Sequence, residues 1–184
     1  FMITTSIAEI ATILCSLAVG SVLPLTAIQI LWINLITDGI PNIALATEGS
    51  HEDLLNRPPR SVKDPIVSKE VVPFLIISVL VMMSVTLLAF RAYLPFGVEK
   101  ARTVAFALMI FFQLFNVLNM RSLEKSIFSI GLFSNAFITI ALLCSFIIQL
   151  FVMLVPFTRE LFSLEQLAWY EYSWIIFVSL SIVV

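Results

Sequence analysis

Residues 71–90, 103–120 and 126–158 contain no Asp, Glu, Lys, Arg or His. A bilayer core takes about 20 apolar residues per helix, so each of these runs predicts a membrane span. Two more apolar runs precede them. Residues 1–19 end at Gly20 with Pro24 just beyond, a helix stop. Residues 25–46 follow, and the short uncharged connection predicts a tight antiparallel hairpin. The third span covers about 71–93, and Pro95-Phe96-Gly97 turns the chain. The fourth covers about 100–120, and the fifth about 133–155 with a stop at Pro156. A sixth begins near Tyr170 and is still apolar at Val184. The pattern predicts an all-α, polytopic transmembrane bundle of about six helices, the first and last truncated. Residues 1–184 then read as one membrane domain cut within a helix at each end.

Composition sharpens this. Of 184 residues, 60% are hydrophobic and 12% charged, with a mean hydropathy of +1.08. A soluble domain carries about twice that charge. The net charge of −2 lacks the basic footprint of a nucleic-acid binder. Cys15 and Cys144 sit in separate apolar runs and form neither a disulfide framework nor a C-x-x-C pair. The long polar connection, 48–69, holds His51, Arg57, Arg60, Lys63, Lys69 and three prolines, and the lone His51 has no assigned role. Counting Lys and Arg in alternating connections gives six on the side of this loop and four on the other. The excess predicts that 48–69 is cytoplasmic.

Two carboxylates, Glu9 and Asp38, lie inside spans. Each costs about 2.5–3.5 kcal/mol at a helix centre, so such groups usually face a bundle interior and serve a site. Thr5 and Ser6 share the face of Glu9, and Asn34 that of Asp38. Pro41 has no N–H to close a helical bond to Thr37, and Gly39 loosens the same turn. Asn34, Thr37, Asp38, Gly39 and Pro41 therefore predict a broken helix presenting oxygens inward. Oxygen donors without Cys or His suit hard cations such as Ca2+, Na+ or H+. The alternative is interhelical hydrogen bonding alone. Gln113, Asn116 and Asn119 make another polar stripe, of the kind that more often serves packing. Trp169, Tyr170, Tyr172 and Trp174 suggest an interfacial aromatic belt.

The run Leu31-Trp32-Ile33-Asn34-Leu35-Ile36-Thr37-Asp38-Gly39-Ile40-Pro41 resembles the sixth membrane helix of type II P-type ATPases, especially calcium pumps. Asn56-Arg57-Pro58-Pro59-Arg60 resembles their following cytoplasmic loop. Ser6-Ile7-Ala8-Glu9 resembles their fifth helix, and Gln113-Leu114-Phe115-Asn116 with Asn119 and Arg121-Ser122 their eighth. The resemblance implies helices five to ten of such a pump. It implies Glu9, Asn34, Thr37, Asp38 and Gln113 as ligands of transported Ca2+, with Asp38 shared between sites in two-site pumps. Gln113 stands where some calcium pumps carry Glu, and Ser6 where they often carry Asn. Sodium–potassium pumps carry Asp at the position of Asn34, and single-calcium pumps tend to lack the carboxylate of Glu9. The number of ions per cycle stays open. The implied partners are the lipid bilayer, helices one to four and the cytoplasmic domains, where ATP and Mg2+ would act. The chain has no D-K-T-G motif, so no catalytic residue and no hydrolysis by this chain itself are expected. A secondary cation or proton transporter, a channel, a pump for Na+ or another cation, and a structural scaffold are the competing readings.

Overall fold

A computed structural model of the protein describes residues 1–49, 71–121, 129, 131 and 134–183. Every regular element among them is helical. They are α1 (Met2–Ala18), α2 (Ala27–Trp32), a π-helix (Ile33–Gly39), α3 (Ile40–Leu45), α4 (Val72–Tyr93), a 3-10 turn (Leu94–Phe96), α5 (Val98–Asn119), α6 (Ala136–Leu154), α7 (Pro156–Leu161) and α8 (Trp169–Leu180). Ala27–Leu45, Val72–Phe96, Val98–Asn119 and Ala136–Leu154 are long and apolar enough to cross a membrane. The first helix has 17 residues and the last 12. The polytopic helical bundle expected from the sequence is thus observed. The loop 48–69, with His51, lies outside the described residues beyond Gly49.

The helices are turned inside out relative to a soluble bundle. On α1 the buried face is Thr4, Thr5, Ala8, Glu9, Thr12 and Ser16, while Ile3, Ile7, Ile10, Leu14 and Leu17 are exposed. Helix α6 buries Ser145 and Gln149 and exposes Ile140, Leu143 and Ile147. Lipid tails are as apolar as Leu, so small and polar residues gain most by facing other helices. Helix α5 is the exception because it is enclosed on all sides, from Ala101 to Val117. It packs on α4, α8, α6 and the π-helix.

Local chemistry fixes the ends. Gly20, at φ 67°, ends α1 in a turn closed by Ser21 N–H to Ser16 O (3.0 Å) and Gly20 N–H to Leu17 O (2.9 Å), the Schellman pattern. Thr26 and Gln29 form a reciprocal cap at the start of α2. Asn135 caps α6 by accepting from Phe137 N–H (3.0 Å) and Ile138 N–H (3.2 Å). Pro156, read from sequence as a stop, also opens α7, because proline fits the first turn of a helix.

Two expectations change. The hairpin of the first two spans is antiparallel but not tight: α1 packs chiefly on α4 and meets the second span through polar side chains. The aromatic belt divides. Trp169 and Tyr170 are 77% and 67% exposed, but Tyr172 is buried and donates its hydroxyl to Met153 O (3.4 Å). The Trp174 indole donates to the Tyr93 hydroxyl (3.3 Å). Both rings are held by helix packing rather than by an interface.

Candidate cation site

The second span bears the polar run, and its backbone explains how. Pro41 cannot donate to Thr37, and the chain answers with a π-helix over Ile33–Gly39 that passes directly into α3. The expected break is therefore a widened turn, not an unwound segment. Such turns are frequent at functional sites. Side chains cover carbonyls along it: Asn34 Nδ2 donates to Ile30 O (2.9 Å), Thr37 Oγ1 to Ile33 O (2.5 Å), and Asn42 Nδ2 to Asp38 O. Gly39 keeps ordinary helical φ (−68°), and a side chain there would meet nothing within 4 Å. Its contribution is a weak helix propensity, not a special conformation.

Three elements bring the residues together. Gln113, fully enclosed on α5, donates Nε2–H to Glu9 Oε1 of α1 (2.8 Å). Its Oε1 lies 2.6 Å from Thr37 Oγ1. That hydroxyl has one hydrogen, which it can give either to Gln113 or to Ile33 O. Asn34 Nδ2 lies 3.4 Å from Glu9 Oε2. Glu9, Asn34, Thr37 and Gln113 thus form one hydrogen-bonded cluster across α1, the π-helix and α5. Asp38 is one turn away and accepts from Thr5 Oγ1 of α1 (3.0 Å). The pairs 5–38 and 9–34 have the same residue sum, which is the signature of antiparallel neighbours. Both carboxylates are only 4% exposed.

Each of the five residues singled out from sequence therefore stands in or beside one polar centre, although Asn34 is on an exposed face. Thr5 is the residue whose part was not foreseen. Its position on the Glu9 face was visible, but its pairing with Asp38 depends on the register between helices. The α5 stripe divides: Gln113 joins the centre, whereas Asn119 Nδ2 ties α5 to Ile182 O (2.7 Å) and bonds Asn116 Oδ1 (3.2 Å). Among the described residues no group of three or more His, Cys, Asp or Glu is placed to hold a metal. The centre combines two carboxylates with amide and hydroxyl oxygens, a donor set for a hard cation.

The apolar spans and the two buried carboxylates between them define the class: an integral membrane domain with a polar centre inside its helical bundle. Residues 22–184 match the family described as cation transporting ATPase, C-terminus. The chain belongs to that family. It is 38% identical over 171 residues to calcium-transporting ATPase type 2C member 2 of Rattus norvegicus, covering 91% of this chain and 18% of the relative. It is 36% identical over 169 residues to calcium-transporting ATPase 1 of Schizosaccharomyces pombe (91% and 19%). A calcium-transporting ATPase 1 of Bacillus cereus is 31% identical over 198 residues (98% and 22%). The chain thus spans only 18% to 22% of the length of these curated relatives.

Proposed function

We propose that Glu9, Asn34, Thr37, Asp38 and Gln113 bind the cation transported by an ATP-driven pump, and that Ca2+ is the cargo. On this reading residues 1–184 are the carboxy-terminal membrane domain of the pump, and the loop 48–69 faces the cytoplasm. The observation that carries it is a pair of enclosed carboxylates from two different elements inside an apolar bundle, Glu9 accepting from the amides of Gln113 and Asn34 and Asp38 from the hydroxyl of Thr5. Names of the relatives supply the choice of Ca2+ among hard cations.

The chemistry follows from the donor set. Ca2+ takes six to eight oxygens. These five side chains offer about five to seven, the higher figure with both carboxylates bidentate. The remainder would come from other helices of the whole protein. Gln113 and Asn34 can serve the centre in two ways. Their N–H groups now stabilise Glu9, and rotating either amide would present its oxygen to a cation. Thr37 matches this exchange because its hydroxyl can return its hydrogen to Ile33 O and leave lone pairs inward. The π-helix helps by letting Asn34, Thr37 and Asp38 shift without breaking a regular ladder. ATP, Mg2+ and the phosphorylated aspartate would belong to cytoplasmic domains of the whole protein, and phosphorylation there would change affinity by moving these helices.

The test is Asp38→Asn in the full-length protein, with Ca2+-dependent phosphorylation from ATP as readout. Loss of Ca2+ dependence is expected. Wild-type Ca2+ dependence would remove Asp38 from the ligand set.

A further inference from the structure

We propose that Arg121 and Glu48 are a positioning pair for the cation site, holding the Asp38-bearing span at a fixed height against α5. The inference rests on the site reading above. Its basis is a built cluster at one end of the bundle. The Arg121 side chain is wholly enclosed, and its Nη2 is 2.9 Å from Glu48 Oε1. Its Nε donates to Glu48 Oε2 (3.3 Å), completing a forked pair. Nη1 donates to Gly131 O (3.0 Å), and Nη2 also to Ser134 Oγ (2.6 Å). Asn135, the cap of α6, donates Nδ2–H to Glu48 Oε2 (2.9 Å). One guanidinium thus joins the end of the second span, the end of α5 and the start of α6.

The fork gives geometric specificity that a single-point contact lacks. Glu48 follows Asp38 by ten residues and Arg121 follows Gln113 by eight. At 1.5 Å per residue the pair therefore sits about 12–15 Å along the bundle from the site. Between the two levels lies an apolar layer of Ala44, Val117, Ile138 and Ala141. The alanines let α3 and α6 approach closely, and a packed layer transmits displacement instead of absorbing it. The second span and α5 are thus fixed at two heights, by Glu48–Arg121 and by Thr37–Gln113 (2.6 Å). Releasing the first leaves the second alone to keep the register on which the Glu9–Gln113 contact depends. A pair that only stabilised the loop ends would alter the yield of folded protein and leave cation affinity unchanged.

The experiment measures Ca2+-activated ATP hydrolysis by the full-length protein carrying Arg121→Lys, Glu48→Gln, or both Glu48→Gln and Arg121→Gln. The double variant removes both charges of the pair together and so retains a readout if the single variants do not accumulate. The expected result is a rise of about three- to tenfold in half-saturating Ca2+, within the range that residues modulating a site from a distance produce. Maximal rate per folded molecule should stay within about twofold of wild type, and Arg121→Lys should shift least among the three. An unchanged half-saturation in the folded variants would overturn the inference. Asp38→Asn run alongside separates the two readings. If it abolishes Ca2+ dependence while the pair variants do not shift affinity, only the positioning role fails. If it leaves Ca2+ dependence intact, the site reading fails first.

Discussion

Helices α4 and α5 are neighbours of equal length, 22 residues each, and they solve opposite problems. Residues Val72–Phe96, which contain α4, are the more apolar and are mostly exposed, whereas α5 is less apolar and is buried along most of its length. In water the more apolar helix would be the enclosed one. Here the order is inverted, because lipid replaces water as the solvent of the outer helices. What α5 gains from enclosure is permission to carry polar groups such as Gln113, Asn116 and Asn119. Helix α4 buries one narrow stripe, Ser78, Met82, Thr86 and Phe90, of which only Ser78 and Thr86 are polar, and exposes Ile76, Ile77, Leu80 and Leu88.

The largest test of this contrast is a pair of truncations. Phe112→Ala, on the enclosed α5, should cost about 3–5 kcal/mol through lost contacts and the cavity left behind. Leu88→Ala, on the outer face of α4 at 68% exposure, should stay within about 0.5 kcal/mol. Reversible unfolding in mixed micelles measures both, and equal costs would break the comparison. Next in size is Ile77→Asp on the same outer face, where a carboxylate should cost about 2.5–3.5 kcal/mol of insertion free energy. Glycosylation mapping of α4 in microsomes reads this as a drop in the inserted fraction, and unaltered insertion would contradict a lipid-facing Ile77. A smaller loss than either Phe112→Ala or Ile77→Asp is expected for Gln149→Leu. It removes the bond from Trp32 Nε1 to Gln149 Oε1 (3.0 Å), and such interhelical bonds are worth about 0.6 kcal/mol in membranes. A loss above about 2 kcal/mol in the same unfolding assay would mean that Gln149 does more than join helices.

The fold was legible because the bilayer demands long uncharged runs, and these survive any choice of helix packing. Glu9 and Asp38 were legible for the complementary reason, since a charged side chain in such a run needs an interior partner, whereas Gln113 read by itself as packing and joined the candidate site only through the family resemblance. What stayed hidden depends on register and distance. Thr5 meets Asp38 only because α1 and the second span align as they do. Glu48 and Arg121 are 73 residues apart, and each alone reads as an ordinary loop-end charge. Pro41 pointed correctly to an irregular turn, but proline chemistry does not choose between an unwound segment and a π-helix. Tyr172 and Trp174 carried the composition of a membrane interface, and only the packing of α8 revealed their partners.

The central claim is that the oxygens of α1, the second span and α5 form one site for a transported cation. Equilibrium binding of radioactive Ca2+ to the purified full-length protein tests it without relying on turnover. Saturable binding is expected in the wild type, its loss in Asp38→Asn, and a reduction in Glu9→Gln and Gln113→Leu. Wild-type stoichiometry and affinity in all three variants would contradict it.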